Sequence, residues 1–117
     1  MKKQILLFLF ILPAYYAPCQ VMKLTPGLTL ELYGNVLITL DNLNFETDST
    51  YWGYGSRIVF SGNQNTSISG TGLMSLGAIK IAKTGGAELI LMRNIIINVS
   101  IFFTSGLLNL NNNNIKL

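Results

Sequence analysis

The chain has 117 residues, of which 50% are hydrophobic, 11% are charged and none is histidine. An average soluble domain carries about 25% charged residues. Uncharged polar residues must therefore cover much of this surface, and the chain has 11 glycines and 12 asparagines. The composition excludes an ordinary disordered tail, which needs high charge and low hydrophobicity. The single cysteine excludes an intrachain disulfide, and the lack of histidine excludes chemistry that needs an imidazole.

Residues 1–19 have the three parts of a secretory signal peptide. Lys2 and Lys3 supply the positive charge, residues 5–12 are all apolar, and the segment ends in small residues up to Cys19. The sequence predicts cleavage between Cys19 and Gln20, so that the chain meets the membrane only during export. The alternative is a lipid anchor on Cys19, which would hold the protein at the outer cell surface.

Removal of the signal peptide changes the charge balance. Lys2 and Lys3 leave, so six basic residues remain against five acidic ones and the net charge falls from +3 to +1. The remaining basic residues are scattered and form no stripe of the kind that binds nucleic acid. The sequence therefore predicts no nucleic-acid partner.

The region after the cleavage site, residues 20–117, has the pattern of short strands separated by polar breaks. Apolar and polar residues alternate in segments such as 28–32 and 95–103, as they do in strands with one buried face. No segment shows the 3.6-residue period of a helix. The breaks at residues 84–86 and 111–114 are rich in glycine and asparagine, which accept the positive φ angles of tight corners. The sequence predicts an all-β domain.

The spacing of the strands favours stacked coils. Ile81, Leu91 and Ile101 are equivalent apolar positions and follow one another at intervals of ten residues. Short, regularly spaced strands without helices are typical of a sandwich, a barrel or a β-solenoid. Low charge and the asparagine tract 111–114 favour the solenoid, because stacked coils place like residues side by side and stacked amides can bond from coil to coil. The prediction is a short right-handed parallel β-solenoid, with a β-sandwich as the alternative.

Several segments resemble a known family. Residues 55–70 resemble the unit G-x-V-x-F-x-G…Q-x-I-S-G of large secreted surface proteins that Gram-negative bacteria export through the type IX secretion system. Residues 76–81, 97–101 and 104–112 resemble the continuation of that unit. The resemblance covers about residues 28–117. It implies a non-enzymatic β-solenoid repeat region of a secreted or surface-exposed bacterial protein.

The position at which the sequence ends leads to a further prediction. Members of the resembled family continue for hundreds of residues to a C-terminal sorting domain, whereas this sequence stops at Leu117 within the repeat pattern. The sequence therefore predicts a fragment of a longer chain, truncated at the C-terminus. The strands within residues 95–103 and 108–117 would then have an uncovered edge, which predicts self-association.

Two groups of residues are candidates for binding or chemistry. Tyr51, Trp52 and Tyr54 form a dense aromatic cluster whose rings could stack on sugars; the alternative is that they cover the core of a terminal coil. The acidic residues close to one another in sequence are Asp41, Glu46 and Asp48. A carbohydrate-active solenoid would need paired carboxylates of this kind, but no fixed spacing joins these three.

The first prediction for function is therefore a structural or adhesive module, not an enzyme. Its partners would be surface glycans or other cell-surface proteins, and it would need no metal or cofactor. The alternative is a carbohydrate-binding or carbohydrate-active module that uses the aromatic cluster and the nearby carboxylates.

Overall fold

The computed structural model describes residues 20–117. Within this part of the chain the secondary structure consists of twelve β-strands without a helix. The strands are β1 (Val21–Leu24), β2 (Thr29–Glu31), β3 (Leu37–Asp41), β4 (Asn44–Thr47), β5 (Thr50–Trp52), β6 (Arg57–Gly62), β7 (Thr66–Ser69), β8 (Met74–Lys83), β9 (Glu88–Leu91), β10 (Ile95–Ser105), β11 (Leu107–Asn109) and β12 (Ile115–Lys116).

The strands form a β-solenoid of about five turns. One sheet has the order β1-β4-β7-β9-β11, so each coil contributes one strand to it. The second sheet has the order β12-β10-β8-β5-β2. The strands β3 and β6 also belong to it, because the long strands β8 and β10 extend along two sides of a coil and the second part of β8 pairs with β6. All the strand pairs are parallel, as expected when each coil lies on the one before it.

Residues at equivalent positions in successive coils form rows through the core. In one row Ile38, Ile58, Ile79 and Ile101 are neighbours, and in the next row Leu40, Phe60, Ile81 and Phe103 are neighbours. The middle members of both rows are fully buried, with exposures of 0–1%. Burial of such side chains supplies most of the favourable free energy of folding, at roughly 1.5–3 kcal/mol for each.

The corner between the two arms of β8 and β10 shows how the coils accommodate an extra residue. In β8 the corner is Gly77, where a Cβ atom would overlap the carbonyl oxygens of Tyr54 and Ser56. In β10 the register shifts between Ile97 and Ser100, and two residues form the corner. Val99 is therefore 61% exposed, although the alternation of residues 95–103 predicts that it faces the core.

The predicted parallel β-solenoid is confirmed, and the alternative sandwich is not observed. The ten-residue interval is about half of a coil, since paired residues are 23 apart at Val21 and Asn44 and 19 apart at Glu88 and Leu107.

Asparagines do bond between coils, and one pair does so through its amides, since Asn42 Nδ2 donates to Asn63 Oδ1 at 3.3 Å. The tract 111–114 bonds in other ways: Asn113 Nδ2 donates to the Leu91 carbonyl oxygen at 2.9 Å. Asn94 Oδ1 accepts a hydrogen bond from the Asn114 backbone N–H at 2.8 Å.

Candidate functional site

The predicted aromatic cluster is divided between the core and the surface. Tyr51 is fully buried and packs edge-on against Phe45, with the ring centroids 5.4 Å apart. Trp52, the next residue in β5, points to the opposite face of the strand and is partly exposed. Tyr54 is 41% exposed at the corner that follows. Tyr51 is therefore a core residue, while Trp52 and Tyr54 are available at the surface.

A third surface ring joins Trp52 and Tyr54. The Tyr33 ring stacks on that of Tyr54, with centroids 4.8 Å apart and an interplanar angle of 15°. The Trp52 and Tyr54 centroids are 6.2 Å apart at 25°. We call Tyr33, Trp52 and Tyr54 the aromatic platform. Sequence reasoning missed Tyr33 because it lies one coil before Tyr54, and only the coil length makes the two residues neighbours.

The platform is joined to a carboxylate. The Tyr33 hydroxyl donates a hydrogen bond of 2.7 Å to Glu31 Oε2. This bond to a carboxylate is the main cause that raises the pKa of Tyr33 above its ordinary value, because ionisation of the phenol would remove the proton that the bond needs. The exposed rings thus carry a neutral hydroxyl and an acidic group beside them.

A shallow depression lies next to the platform. Its volume is about 260 Å³, and it is lined by Asn35, Val36, Leu37, Gly55 and Arg57, residues that closely follow Tyr33 and Tyr54 in the chain. The Arg57 guanidinium also lies over the ring of Phe102, with its carbon 4.8 Å from the centroid. Exposed rings beside a depression with an amide and a guanidinium form a surface that can bind neutral polar ligands such as sugars.

The candidate carboxylates do not form one group. Asp41 ends β3 in the second sheet and accepts a hydrogen bond of 2.9 Å from Ser61 Oγ. Glu46 lies in the first sheet, where Lys23 Nζ is 3.3 Å from Glu46 Oε1 and 3.9 Å from Asp48 Oδ2. Residues 20–117 contain no group of three or more acidic, cysteine or histidine side chains that could hold a metal ion.

Asp48 also serves the contact between coils. Its Oδ1 accepts hydrogen bonds from the backbone N–H and the hydroxyl of Thr71, at 3.1 and 3.3 Å. Asn44 Oδ1 accepts a hydrogen bond from the backbone N–H of Ser67 at 2.9 Å. Asn65 accepts from the N–H of Glu88 at 3.0 Å. Each of these side chains satisfies a backbone N–H group of the following coil, of Thr71 between two strands and of Ser67 and Glu88 near the starts of β7 and β9.

Two basic side chains also join coils. Lys83 is fully buried, and its Nζ donates to the carbonyl oxygens of Ser61 and Gln64 at 3.0 and 2.9 Å. Arg93 donates to the carbonyl oxygens of Thr47 and Gly72, which belong to the two preceding coils. Burial lowers the pKa of Arg93, and the charge of Asp48 opposes that shift. These cations were missed from the sequence, because nothing in their local pattern distinguishes them from surface lysines and arginines.

The predicted signal peptide and its cleavage site at Cys19 and Gln20 fall mostly outside the described residues. Residues 1–19 are not described, and Gln20 is the first described residue. Among residues 20–117 there is no helix long and apolar enough to cross a membrane.

The chain was compared with known protein families, with curated proteins and with solved structures, and none of the three comparisons found a match.

The buried hydroxyl of Tyr51 gives a test of the core. The structure shows no hydrogen-bond partner for Tyr51 Oη among the described residues. Replacing Tyr51→Phe should therefore leave the free energy of unfolding unchanged or raise it by about 1 kcal/mol. Urea unfolding followed by far-ultraviolet circular dichroism would measure the difference. A loss of more than about 1 kcal/mol would show that the hydroxyl is bonded in the folded protein.

The Tyr51→Phe substitution should also change how the stability of the protein depends on alkaline pH. Burial raises the pKa of Tyr51, and the nearby Ser56 hydroxyl opposes that shift. The neutral phenol of Tyr51 therefore makes its full contribution to the free energy of unfolding below the unfolded-state pKa of about 10. This contribution is lost as the pH rises through the folded-state pKa. The Tyr51→Phe variant should lose less stability than the unchanged protein between about pH 9 and pH 11. Parallel losses in the two proteins would contradict this.

Proposed function

We propose that the chain is a non-enzymatic structural and adhesive module of a secreted or cell-surface bacterial protein. The observation that carries the proposal is the use of the polar side chains. Asp41, Asp48 and Asn65 all bond to the neighbouring coil, and Glu46 is ion-paired to Lys23 of the preceding coil. A hydrolase would keep such side chains free to act on its substrate, whereas in this protein they hold the coils together.

The outer surface supports an adhesive role. It carries few charges and many amides, hydroxyls and exposed apolar side chains, including Leu37, Leu73 and Val99 at 45–62% exposure. Such a surface makes many weak contacts without strong electrostatic repulsion. Parallel coils also give a stiff body that can hold other domains apart, because each coil packs directly on its neighbours.

The cellular location is part of the proposal and rests on the sequence. Residues 1–19 have the pattern of a signal peptide, and residues 28–117 resemble repeat regions of surface proteins exported by type IX secretion. Export followed by cleavage after Cys19, or lipid attachment to Cys19, would place the coils outside the cell. Mass spectrometry of the exported chain distinguishes the two, because cleavage leaves Gln20 as the first residue.

A cell-adhesion assay tests the proposed role. The chain is displayed on a Gram-negative host, and retention of the cells on polysaccharide-coated and on uncoated surfaces is compared with that of cells without the chain. We expect retention to rise several-fold on both surfaces. Equal retention with and without the chain, or release of soluble sugars from the polysaccharide by the purified protein, would contradict a non-enzymatic adhesive module.

Carbohydrate binding is the second candidate, and the aromatic platform is the observation that favours it. Tyr33 and Tyr54 are 66% and 41% exposed and stack in parallel beside the depression at Arg57. Because Tyr33 and Tyr54 stack on each other, a sugar ring would pack on the outer face of Tyr33, the more exposed ring, while its hydroxyls bond to neighbouring polar groups. The platform can therefore give the adhesive surface a preference for glycans.

Variants of the platform test this candidate. Trp52→Ala and Tyr33→Ala should each weaken glycan binding roughly tenfold, a difference of about 1.4 kcal/mol, because each removes a ring. Tyr33→Phe is the matched control and should retain most of the binding, since the ring remains. The measurement is a glycan array followed by titration of the best ligand. Unchanged binding in both alanine variants would exclude the platform as the site.

A further inference from the structure

The second arm of the second sheet contains β3, β6 and the later residues of β8 and β10, and its outer face carries two rows of side chains. One row contains Arg57, Ala78 and Ser100, and the next contains Val59, Lys80 and Phe102. Both rows face outward because they alternate with the buried rows of the core. Neither row contains an acidic residue in the described coils. We call this surface the basic face.

The two cations of the basic face have no anionic partner. Other basic side chains within residues 20–117 are used by the solenoid, since Lys23 is ion-paired and Lys83 and Arg93 donate to carbonyl oxygens of preceding coils. In the same part of the chain, the side chains of Arg57 and Lys80 form neither an ion pair nor a hydrogen bond. Both charges are therefore available to a ligand.

The Arg57 guanidinium is held in place without the use of its donors. Its carbon lies 4.8 Å from the centroid of the Phe102 ring. To reach that ring the side chain crosses Ala78, which is only 4% exposed although it belongs to the outer face. A guanidinium that stacks on an aromatic ring does so with its flat face, so the N–H groups at its edge can still donate. Two of these groups match the two oxygens of a carboxylate.

The depression of about 260 Å³ beside the aromatic platform adjoins Arg57. Val36 and Leu37 give it an apolar wall, and Asn35 contributes an amide. Leu37 is 62% exposed, so this wall is open to a ligand. Apolar walls of this kind take the C–H face of a sugar ring, while amide and guanidinium groups bind its polar substituents. The depression thus places a sugar ring beside an unpaired cation.

Lys80 gives the basic face a second cation at a defined separation. It lies one coil after Arg57 and two residues farther along the strand. The Cα atoms of two such positions are about 8 Å apart. A polymer that carries an anionic group on each unit can bind both cations at once, whereas a single sugar with one charge can bind only one of them.

Most of the acidic side chains lie away from the basic face. Glu46 and Glu88 belong to strands of the first sheet, and Asp48 follows β4 in the same sheet. Glu31 lies on the other arm of the second sheet, where it accepts the hydrogen bond from the platform. Asp41 is at the end of β3 and accepts a hydrogen bond from the neighbouring coil. An anionic ligand therefore meets two cations and little repulsion at the basic face.

We infer, on the basis of the proposed adhesive role, that the basic face binds an acidic polysaccharide through its carboxylates. One sugar ring occupies the depression and its carboxylate accepts two hydrogen bonds from Arg57. A second carboxylate farther along the polymer pairs with Lys80, and in the opposite direction the polymer extends toward the aromatic platform. The ligand is thus a uronic-acid polysaccharide, and a neutral one binds less tightly.

Two polymers with the same backbone test the need for charge. Polygalacturonate and its methyl ester differ only in the carboxylates. The exported chain is purified, and its binding to each immobilised polymer is titrated by biolayer interferometry at low salt. We expect the methyl ester to bind roughly tenfold more weakly, because it cannot pair with the two cations. Binding of polygalacturonate should also weaken as the salt concentration rises.

Variants of the two cations locate the contact. Arg57→Gln should weaken the binding of polygalacturonate roughly tenfold and change that of the methyl ester by less than about twofold. Arg57→Lys should also weaken the binding of polygalacturonate several-fold, because an ammonium group cannot form two parallel bonds to a carboxylate. Lys80→Gln should weaken it several-fold through the loss of the second cation. Circular dichroism of each variant shows whether its fold is retained.

Lys116→Gln is the matched control for these variants. Lys116 also has no ion pair within residues 20–117, but it lies on the other arm of the second sheet, in the row of Ile96. Removal of its charge should change the binding of polygalacturonate by less than about twofold. Equal losses in Lys116→Gln and Arg57→Gln would mean that only the net charge matters, and would overturn the site.

Other results would also overturn it. These are equal binding of polygalacturonate and its methyl ester, or unchanged binding in Arg57→Gln. Polyglutamate that binds as tightly as polygalacturonate would show attraction between charges without recognition of a sugar. Binding of dextran sulfate in the absence of binding to polygalacturonate would exclude the carboxylate as the group that is recognised.

The same measurements separate this site from the proposed function. If cells that display the chain are retained on surfaces but polygalacturonate fails these tests, the adhesive role stands and the basic face is not its site. If binding of polygalacturonate depends on Arg57 but the cells are not retained, the site stands and the adhesive role is wrong.

Discussion

Replacing Gly70→Ala is expected to abolish the solenoid or to destabilise it by at least about 3 kcal/mol. Gly70 has a φ of +108°, and a Cβ atom there would overlap the backbone of Thr47 in the preceding coil. The left-handed conformation alone costs an alanine roughly 1–2 kcal/mol. The overlap would also push the two coils apart, and they cannot separate without losing strand pairing. Urea unfolding followed by circular dichroism measures the effect.

The control for this prediction is Gly55→Ala. The nearest atom to a Cβ at Gly55 is the Gly34 carbonyl oxygen at 3.7 Å, an ordinary contact. This change should alter the free energy of unfolding by no more than about 0.5 kcal/mol. Similar stability for the Gly70 and Gly55 variants would mean that the coils are not as close as the structure shows.

The second large effect is expected from Phe60→Ala. Phe60 is fully buried in the row between Leu40 and Ile81, and removal of its ring leaves a cavity lined by neighbouring coils. Such substitutions cost about 3–5 kcal/mol. Since small domains are stable by only about 5–15 kcal/mol, much of the protein should be unfolded or easily unfolded by heat.

Phe103→Ala is the matched control, because it removes the same side chain from the same row, where β10 pairs with β8 alone at this position. Phe103 is 59% exposed, so its loss should cost about 0.5 kcal/mol or less. Equal destabilisation by the two alanine variants would contradict the assignment of Phe60 to the interior and Phe103 to the edge.

Much of the fold could be predicted from local pattern. The alternation in residues 28–32 and 95–103 locates strands observed at Thr29–Glu31 and Ile95–Ser105, because period-two patterns depend only on neighbouring residues. β5 was missed as a strand, since its residues Tyr51 and Trp52 stand out as aromatics and no longer alternation surrounds them. The spacing of ten residues was detected, but the sequence did not reveal that two such intervals make one coil.

The aromatic site could be predicted only in part. Trp52 and Tyr54 lie at the surface as a binding site requires, but Tyr51 is buried because successive residues of a strand point to opposite faces. Tyr33 belongs to the platform through a separation of 21 residues, and that relation depends on the register of the coils. A register of this kind is set by the packing of the whole solenoid and is not present in any local segment.

Disulfide cross-linking between coils tests the central claim, the parallel stacking of coils, most directly. Thr39 pairs with Val59, and Val59 pairs with Lys80, all on the outer face of the second sheet. With Cys19→Ser to remove the native thiol, cysteines introduced at positions 39 and 59, or at 59 and 80, should form a disulfide under mild oxidation, because Cα atoms of paired strands are about 4.8 Å apart. Cysteines at 39 and 80, separated by one strand, should remain reduced. Cross-linking of 39 with 80, or of neither adjacent pair, would contradict the solenoid.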